Sequence, residues 1–146
     1  MKTAIIYYSR HHENTKKLLE AIYKWYPDIA LIDITKQENI DLTLYDRIGF
    51  ASGIYYSKFQ KRLIELAKEK MPEGKETFFI YTCAAKKKGY TKAISEAVKV
   101  HHASILGEYG CYGFNTYGPF KLIGGMKKGH PNEEEIENAI KFYEGL

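Results

Sequence analysis

Six consecutive β-prone residues, Thr3-Ala4-Ile5-Ile6-Tyr7-Tyr8, show no polar alternation, the pattern of a strand covered on both faces. Leu18, Leu19, Ile22 and Trp25 then recur at helical spacing, which predicts an amphipathic helix from Asn14 to about Trp25, stopped before Pro27. Ile29 to Ile34 reads as a second buried strand, Thr35 to Tyr45 as a loop, and Arg47 to Ala51 as a short third strand leading into Ser52-Gly53. Phe59, Leu63, Leu66 and Ala67 mark the next helix, closed near Met71-Pro72-Glu73-Gly74. Thr77 to Cys83 is a fourth strand, and a helix after Gly89 carries Ala93, Ile94, Ala97 and Val100. Ala103 to Tyr109 reads as the fifth strand, and Gly110 to Gly129 has little regular pattern. Pro131-Asn132 opens a last helix with Glu133, Glu134 and Glu135 in its first turn, where negative charge suits the dipole, and with Ile136, Ala139, Ile140 and Tyr143 as its apolar face.

Strands that alternate with helices in this way predict an α/β fold: a three-layer, doubly wound sandwich around a five-stranded parallel sheet. Ligands of such folds bind at the carboxyl ends of the strands, where the strand order reverses. The residues after Tyr8, Ala51 and Thr82 are therefore the ones in which chemistry is expected.

Composition narrows the class. The 146 residues suit one domain spanning 1–146, and 45% hydrophobic with 27% charged residues is a globular balance. No apolar run approaches the roughly 18 residues of a membrane span, and the chain enters strand-like sequence directly after Met1-Lys2, without a cleavable signal pattern. Two cysteines are too few for a disulfide framework, which points to a reducing cytoplasm. The net charge of +4 is modest, and its densest runs, Lys86-Lys87-Lys88 and Lys127-Lys128, read as solvated loops rather than a nucleic-acid site, with help in docking an anionic ligand or an acidic partner as a further role open to the three lysines beside Gly89. Tyrosine is abundant, at 13 residues, and several fall where loops are expected.

The first turn, Ser9-Arg10-His11-His12-Glu13-Asn14-Thr15, joins a buried strand to an amphipathic helix. Helix N-termini present unpaired N–H groups and about half a positive charge, and the Ser9 and Thr15 hydroxyls and the Asn14 amide add donors for a phosphate. The competing reading is that Asn14 or Ser9 simply caps the helix. The turn has neither the Gly-Lys-Ser/Thr of an NTPase loop nor the Gly-x-Gly-x-x-Gly of a dinucleotide fold, so a single terminal phosphate is expected. His11 and His12 suit phosphate donors better than metal ligands, since no Cys, Asp or Glu cluster completes a metal site.

Ser52-Gly53-Ile54-Tyr55-Tyr56-Ser57 places a turn-forming glycine, an apolar side chain and two flat aromatic rings after the third strand. Thr82-Cys83-Ala84-Ala85 offers small residues and backbone N–H groups after the fourth. Cys83 reads as a core residue or a pocket wall, with no His or Asp spaced to activate it as a nucleophile. Together the three loops describe a site for a planar heterocycle bearing one phosphate, a description that FMN fits.

At this point the chain resembles the flavodoxin family. The likeness rests on Ile6 to Thr15, on Ser52-Gly53-Ile54-Tyr55-Tyr56 and on Gly118-Pro119-Phe120-Lys121-Leu122-Ile123-Gly124-Gly125. It implies strand order 2-1-3-4-5, FMN as cofactor and reversible electron transfer. Ser9, Arg10, His11, His12, Asn14 and Thr15 would then lie around the phosphate, with Ser52, Gly53, Ile54, Tyr55, Tyr56, Thr82, Cys83 and Ala84 flanking the flavin ring. The first loop is a residue longer than the family's usual Ser/Thr-x-Thr-Gly-x-Thr, and Glu13 must face away from a bound dianion. The chain is basic, whereas short electron-carrier flavodoxins are typically acidic.

The reading is of an FMN carrier exchanging electrons with a redox partner protein or a small acceptor, as a monomer or weak homodimer, with no nucleic-acid or membrane partner. No side chain is assigned a catalytic or metal-binding role. The alternatives are an FMN-dependent NAD(P)H or quinone reductase, using Lys86–Lys88 and Tyr112, Phe114 and Tyr117 as a second substrate wall, and a flavin-free module that binds a phosphorylated ligand.

Overall fold

The computed structural model describes residues 1–10, 13–114 and 127–146. Five parallel strands, β1 (Thr3–Tyr8), β2 (Ala30–Asp33), β3 (Arg47–Gly53), β4 (Glu76–Cys83) and β5 (Ser104–Tyr112), form one sheet in the order β2-β1-β3-β4-β5. This is the predicted α/β fold and strand order. Among the described residues, four helices connect or follow the strands: α1 (Asn14–Trp25), α2 (Lys61–Lys70), α3 (Lys92–Lys99) and α4 (Glu133–Glu144). The 35–45 loop includes a short 3-10 turn, Leu42–Leu44, capped by Asp41, whose carboxylate accepts from Thr43 N at 3.0 Å.

Each sheet face has its own apolar layer. Ile6, Ile48, Phe50 and Phe79 pack with Leu63 and Ala67 of α2 and with Ile94, Ala97 and Val98 of α3. Ile5, Ala51, Phe78 and Ile80 pack with Leu18, Leu19 and Ile22 of α1 and with Ala139 of α4. Alternate residues of β1 thus serve opposite layers, which is why its sequence shows no polar alternation. Full burial of each large side chain contributes about 1.5–3 kcal/mol.

Several expected positions move. Trp25 ends α1 and is 69% exposed, so the buried face of the helix is Leu18, Leu19 and Ile22. Val98 replaces Val100 on α3: Ile94, Ala97 and Val98 hold the i, i+3, i+4 spacing, while Val100 follows the last turn at 72% exposure. Phe59 precedes α2 rather than lying in it, yet is fully buried, edge-to-face with Phe79 at 6.0 Å. The fifth strand continues three residues beyond Tyr109. Gly110 belongs to it because a Cβ there would lie 2.1 Å from the Tyr81 ring; the missing side chain makes room for an aromatic on the neighbouring strand.

Candidate functional site

An open cleft lies at the carboxyl ends of β1, β3, β4 and β5, lined by residues at those ends and in the loops that follow them. Eleven of the fourteen residues singled out from sequence line it: Ser9, Arg10, Asn14, Thr15, Gly53, Ile54, Tyr55, Tyr56, Thr82, Cys83 and Ala84. Ser52 does not. It is fully buried, donates to the Gly53 carbonyl at 2.5 Å and accepts from Gln60 N at 3.1 Å, so it ties the two ends of its loop together. His11 and His12 lie outside the described residues, as does the Gly118 to Gly125 motif.

At the first turn Glu13 takes the N-cap position of α1 with φ 52° and makes no side-chain cap bond. The Ser9 hydroxyl serves as the cap instead, accepting from Lys16 N at 3.1 Å. Ser9 is thus a capping residue, as one of the two sequence readings held. The Glu13 carboxylate turns outward to Lys16 Nζ at 3.8 Å, which removes the like-charge conflict with an anion at the helix end. Asn14, the first helical residue, is 7% exposed and donates from Nδ2 to the Phe114 carbonyl at 2.6 Å. That bond fixes the amide orientation and leaves Asn14 Oδ1 buried without a hydrogen-bond partner among the described residues. A buried acceptor left without a donor costs about 1–3 kcal/mol. Thr15 and Thr82 share one hydroxyl–hydroxyl bond of 2.9 Å, joining α1 to β4.

The second loop turns back on itself through an isolated antiparallel bridge, Tyr55 with Lys58. Tyr56 and Ser57 between them have φ 51° and 65°, the φ signs of a type I′ turn carried without glycine. Such conformations cost of order 1–3 kcal/mol each and gather where function demands a geometry. Tyr56 is thereby held out at 84% exposure. Tyr55 turns inward, its ring edge-to-face with Tyr8 at 5.7 Å, and the Arg10 guanidinium lies 5.7 Å from the Tyr8 ring centroid. Burial, with Tyr8 beside it, pushes the Tyr55 phenol up to about 12, against the opposing pull of Arg10. Tyr55 therefore stays a neutral donor or acceptor at physiological pH.

The third loop lies between these. Cys83 is 5% exposed, and burial pushes its thiol up to about 11 despite nearby Lys86. A neutral thiol is a wall and not a nucleophile.

Gly113 escapes sequence reading because the fifth strand runs three residues past Tyr109, and Phe114, expected only in the substrate wall of the reductase alternative, also lines the cleft. The alternation of Tyr109 and Cys111 across Gly110 is the signal that extends it. Gly113 N donates to the Cys83 carbonyl at 2.9 Å, and a Cβ on Gly113 would lie 2.7 Å from Asn14 Nδ2. Only glycine lets the end of β5 approach the start of α1 this closely.

Comparison with known proteins agrees with this arrangement. The flavodoxin-domain family model matches residues 4–106. An uncharacterized protein of Methanocaldococcus jannaschii is 37% identical over 150 residues, covering 100% of this chain and 98% of its own. Oxidised flavodoxin 2 of Bacillus cereus shares the fold with a TM-score of 0.68 at 15% identity, covering 99% of each chain. A flavoprotein of Lactobacillus acidophilus NCFM, solved in complex with FMN, has a TM-score of 0.61 at 23% identity, covering 75% of this chain and 92% of that one. With residues 4–106 matched by the family model and a 37% identical relative spanning its full length, this chain belongs to the flavodoxin family.

Proposed function

We propose that the cleft binds FMN and that the chain works as an electron carrier. The observation that carries this reading is the buried Asn14 Oδ1, without a partner among the described residues, on a cleft that joins a helix N-terminus to a pair of tyrosines. FMN brings a phosphate suited to the N–H groups of α1, ribityl hydroxyls able to donate to a buried carboxamide oxygen, and a flat ring suited to aromatic faces. The solved Lactobacillus flavoprotein of the same fold holds FMN.

In this reading Arg10, Asn14 and Thr15 hold the phosphate end with the first turn of α1. Ile54, Tyr55 and Tyr56 cover one side of the ring, and the Thr82–Ala84 backbone covers the other. Bound FMN supplies reversible electron transfer, while the protein supplies binding, orientation and the local dielectric. The half-buried Tyr55 and the buried Cys83 side chains stay uncharged, so these two walls present no anion to the ring.

The test is the visible spectrum of the purified chain before and after incubation with FMN. Flavin absorbance that survives gel filtration, and is lost in a folded Thr15→Val variant, supports the reading. A chain that stays colourless overturns it. Steady-state NADPH oxidation with a quinone acceptor then separates carrier from reductase: absence of turnover is expected, and turnover makes the chain an enzyme.

A further inference from the structure

The linkers that follow β1, β3, β4 and β5 in the sequence, residues 9–13, 54–60, 84–91 and 113–132, hold eight of the chain's 22 Lys and Arg residues but only one of its 18 Asp and Glu, Glu13. The remaining residues are slightly acidic. The net charge of +4 is therefore the sum of strongly basic linkers after these four strands and a mildly acidic remainder.

The structure concentrates this charge. Lys86, after β4, and Lys127, beyond β5, converge on one ring: their ammonium groups lie 5.2 and 4.1 Å from the Tyr112 centroid. Tyr112 is paired in register with Cys83, a wall of the cleft. Lys87, Lys88 and Lys128 beside them are exposed, and none of these five lysines has a carboxylate within 4 Å among the described residues. The nearest acids in sequence do not neutralise them. Glu135 directs its carboxylate to His130, Asn132 N and Tyr112 N, while Glu133 and Glu134 open α4 as exposed residues. Two cations on one ring repel each other, and the ring's quadrupole offsets that repulsion only in part. Stability alone does not call for such a cluster.

We propose that this lysine rim is the docking surface for an acidic electron-transfer protein, which would approach the cleft from the Tyr112 side; this rests on the carrier reading above. Lysines are mobile, strongly hydrated point charges, whereas tight phosphate sites favour the fixed fork of arginine. A spread lysine field beside a redox cleft suits steering of a short-lived protein encounter, in which complementary charge acts chiefly on the association rate.

The test is an NMR titration of the 15N-labelled full chain, with and without added FMN, using three probes. These are an acidic [2Fe–2S] ferredoxin, the basic cytochrome c and single-stranded oligothymidylate. The expected result is that ferredoxin perturbs amides of 84–90, 112–114 and 127–130, and that the effect fades as salt rises from about 20 to about 200 mM, where the Debye length shrinks below 10 Å. A Lys86→Glu/Lys127→Glu double variant should weaken ferredoxin binding by about tenfold or more at low salt. A Lys87→Glu/Lys88→Glu variant, which leaves the Tyr112 packing alone, should act in the same direction. No perturbation by ferredoxin, an equal response to cytochrome c, or tighter binding of the oligonucleotide would each overturn the proposal. Flavin uptake is read separately by absorbance: a chain that binds FMN but ignores ferredoxin loses only the docking surface, and a colourless chain that still binds ferredoxin loses only the carrier reading.

Discussion

The Thr15 and Thr82 hydroxyls lie 2.9 Å apart, with Thr15 1% and Thr82 4% exposed, and join the first turn of α1 to the end of β4. Two hydroxyls sharing one bond use one of their two hydrogens. The pair thus fixes two walls of the cleft relative to each other while one hydrogen remains for a third group.

Cutting this pair from one side should cost more than removing it whole. Thr15→Val leaves the Thr82 hydroxyl buried without its partner, an expected loss of about 1–3 kcal/mol. The Thr15→Val/Thr82→Val double variant should be clearly more stable than the sum of the single changes predicts. Urea unfolding of all four proteins measures the coupling, and strict additivity would show that the bond does not form in solution.

Gly113→Ala should disturb the site through Asn14. The added Cβ would sit 2.7 Å from Nδ2 and 2.9 Å from Cγ of a carboxamide already held by the Phe114 carbonyl. Overpacking of this kind costs about 1–3 kcal/mol, and FMN affinity should fall along with the midpoint of thermal unfolding. A variant with unchanged affinity would remove Asn14 from the site.

Acid should loosen the junction of β5 with α4. Burial raises the Glu135 carboxyl, but bonds from Asn132 N, the His130 ring and Tyr112 N outweigh it and leave the group below its ordinary 4.5. The unfolded chain therefore takes up this proton first. The stabilisation is complete above about pH 4.5 and is lost as pH falls through the lower folded value. Glu135→Gln should flatten the dependence of unfolding free energy on pH in that window, measured by chemical denaturation at a series of acid pH values.

The two thiols should resist alkylation in the native protein. Burial pushes Cys83 up to about 11 and Cys111 up to about 12, so at neutral pH almost no thiolate forms. Iodoacetamide should label both only in denaturant, as mass spectrometry would show. Rapid labelling of Cys83 in the folded chain would mean that the cleft wall opens.

Much of this protein was legible in the hydrophobic pattern, because buried parallel strands and amphipathic helices have local signatures. The runs at Thr3–Tyr8 and Thr77–Cys83 and the spacing of Leu18, Leu19 and Ile22 are dictated by which faces must leave water. The cleft loops were legible because they follow the strands whose ends meet at the reversal of strand order. What the pattern misplaced depends on neighbours distant in the chain. Gly110 must be glycine because the Tyr81 ring of the neighbouring strand lies against it, and Gly113 because the Asn14 carboxamide does. Trp25 and Val100 have apolar side chains at helix ends, where spacing alone does not tell which residue the fold leaves outside. Lysines of two separate loops, Lys86 and Lys127, meet on Tyr112 through the pairing of β4 with β5. The elements and their order follow from local burial requirements, which neighbouring residues in the chain already express. Which side chains face one another across the cleft depends on the folded chain, since such contacts join residues as far apart as Asn14 and Phe114.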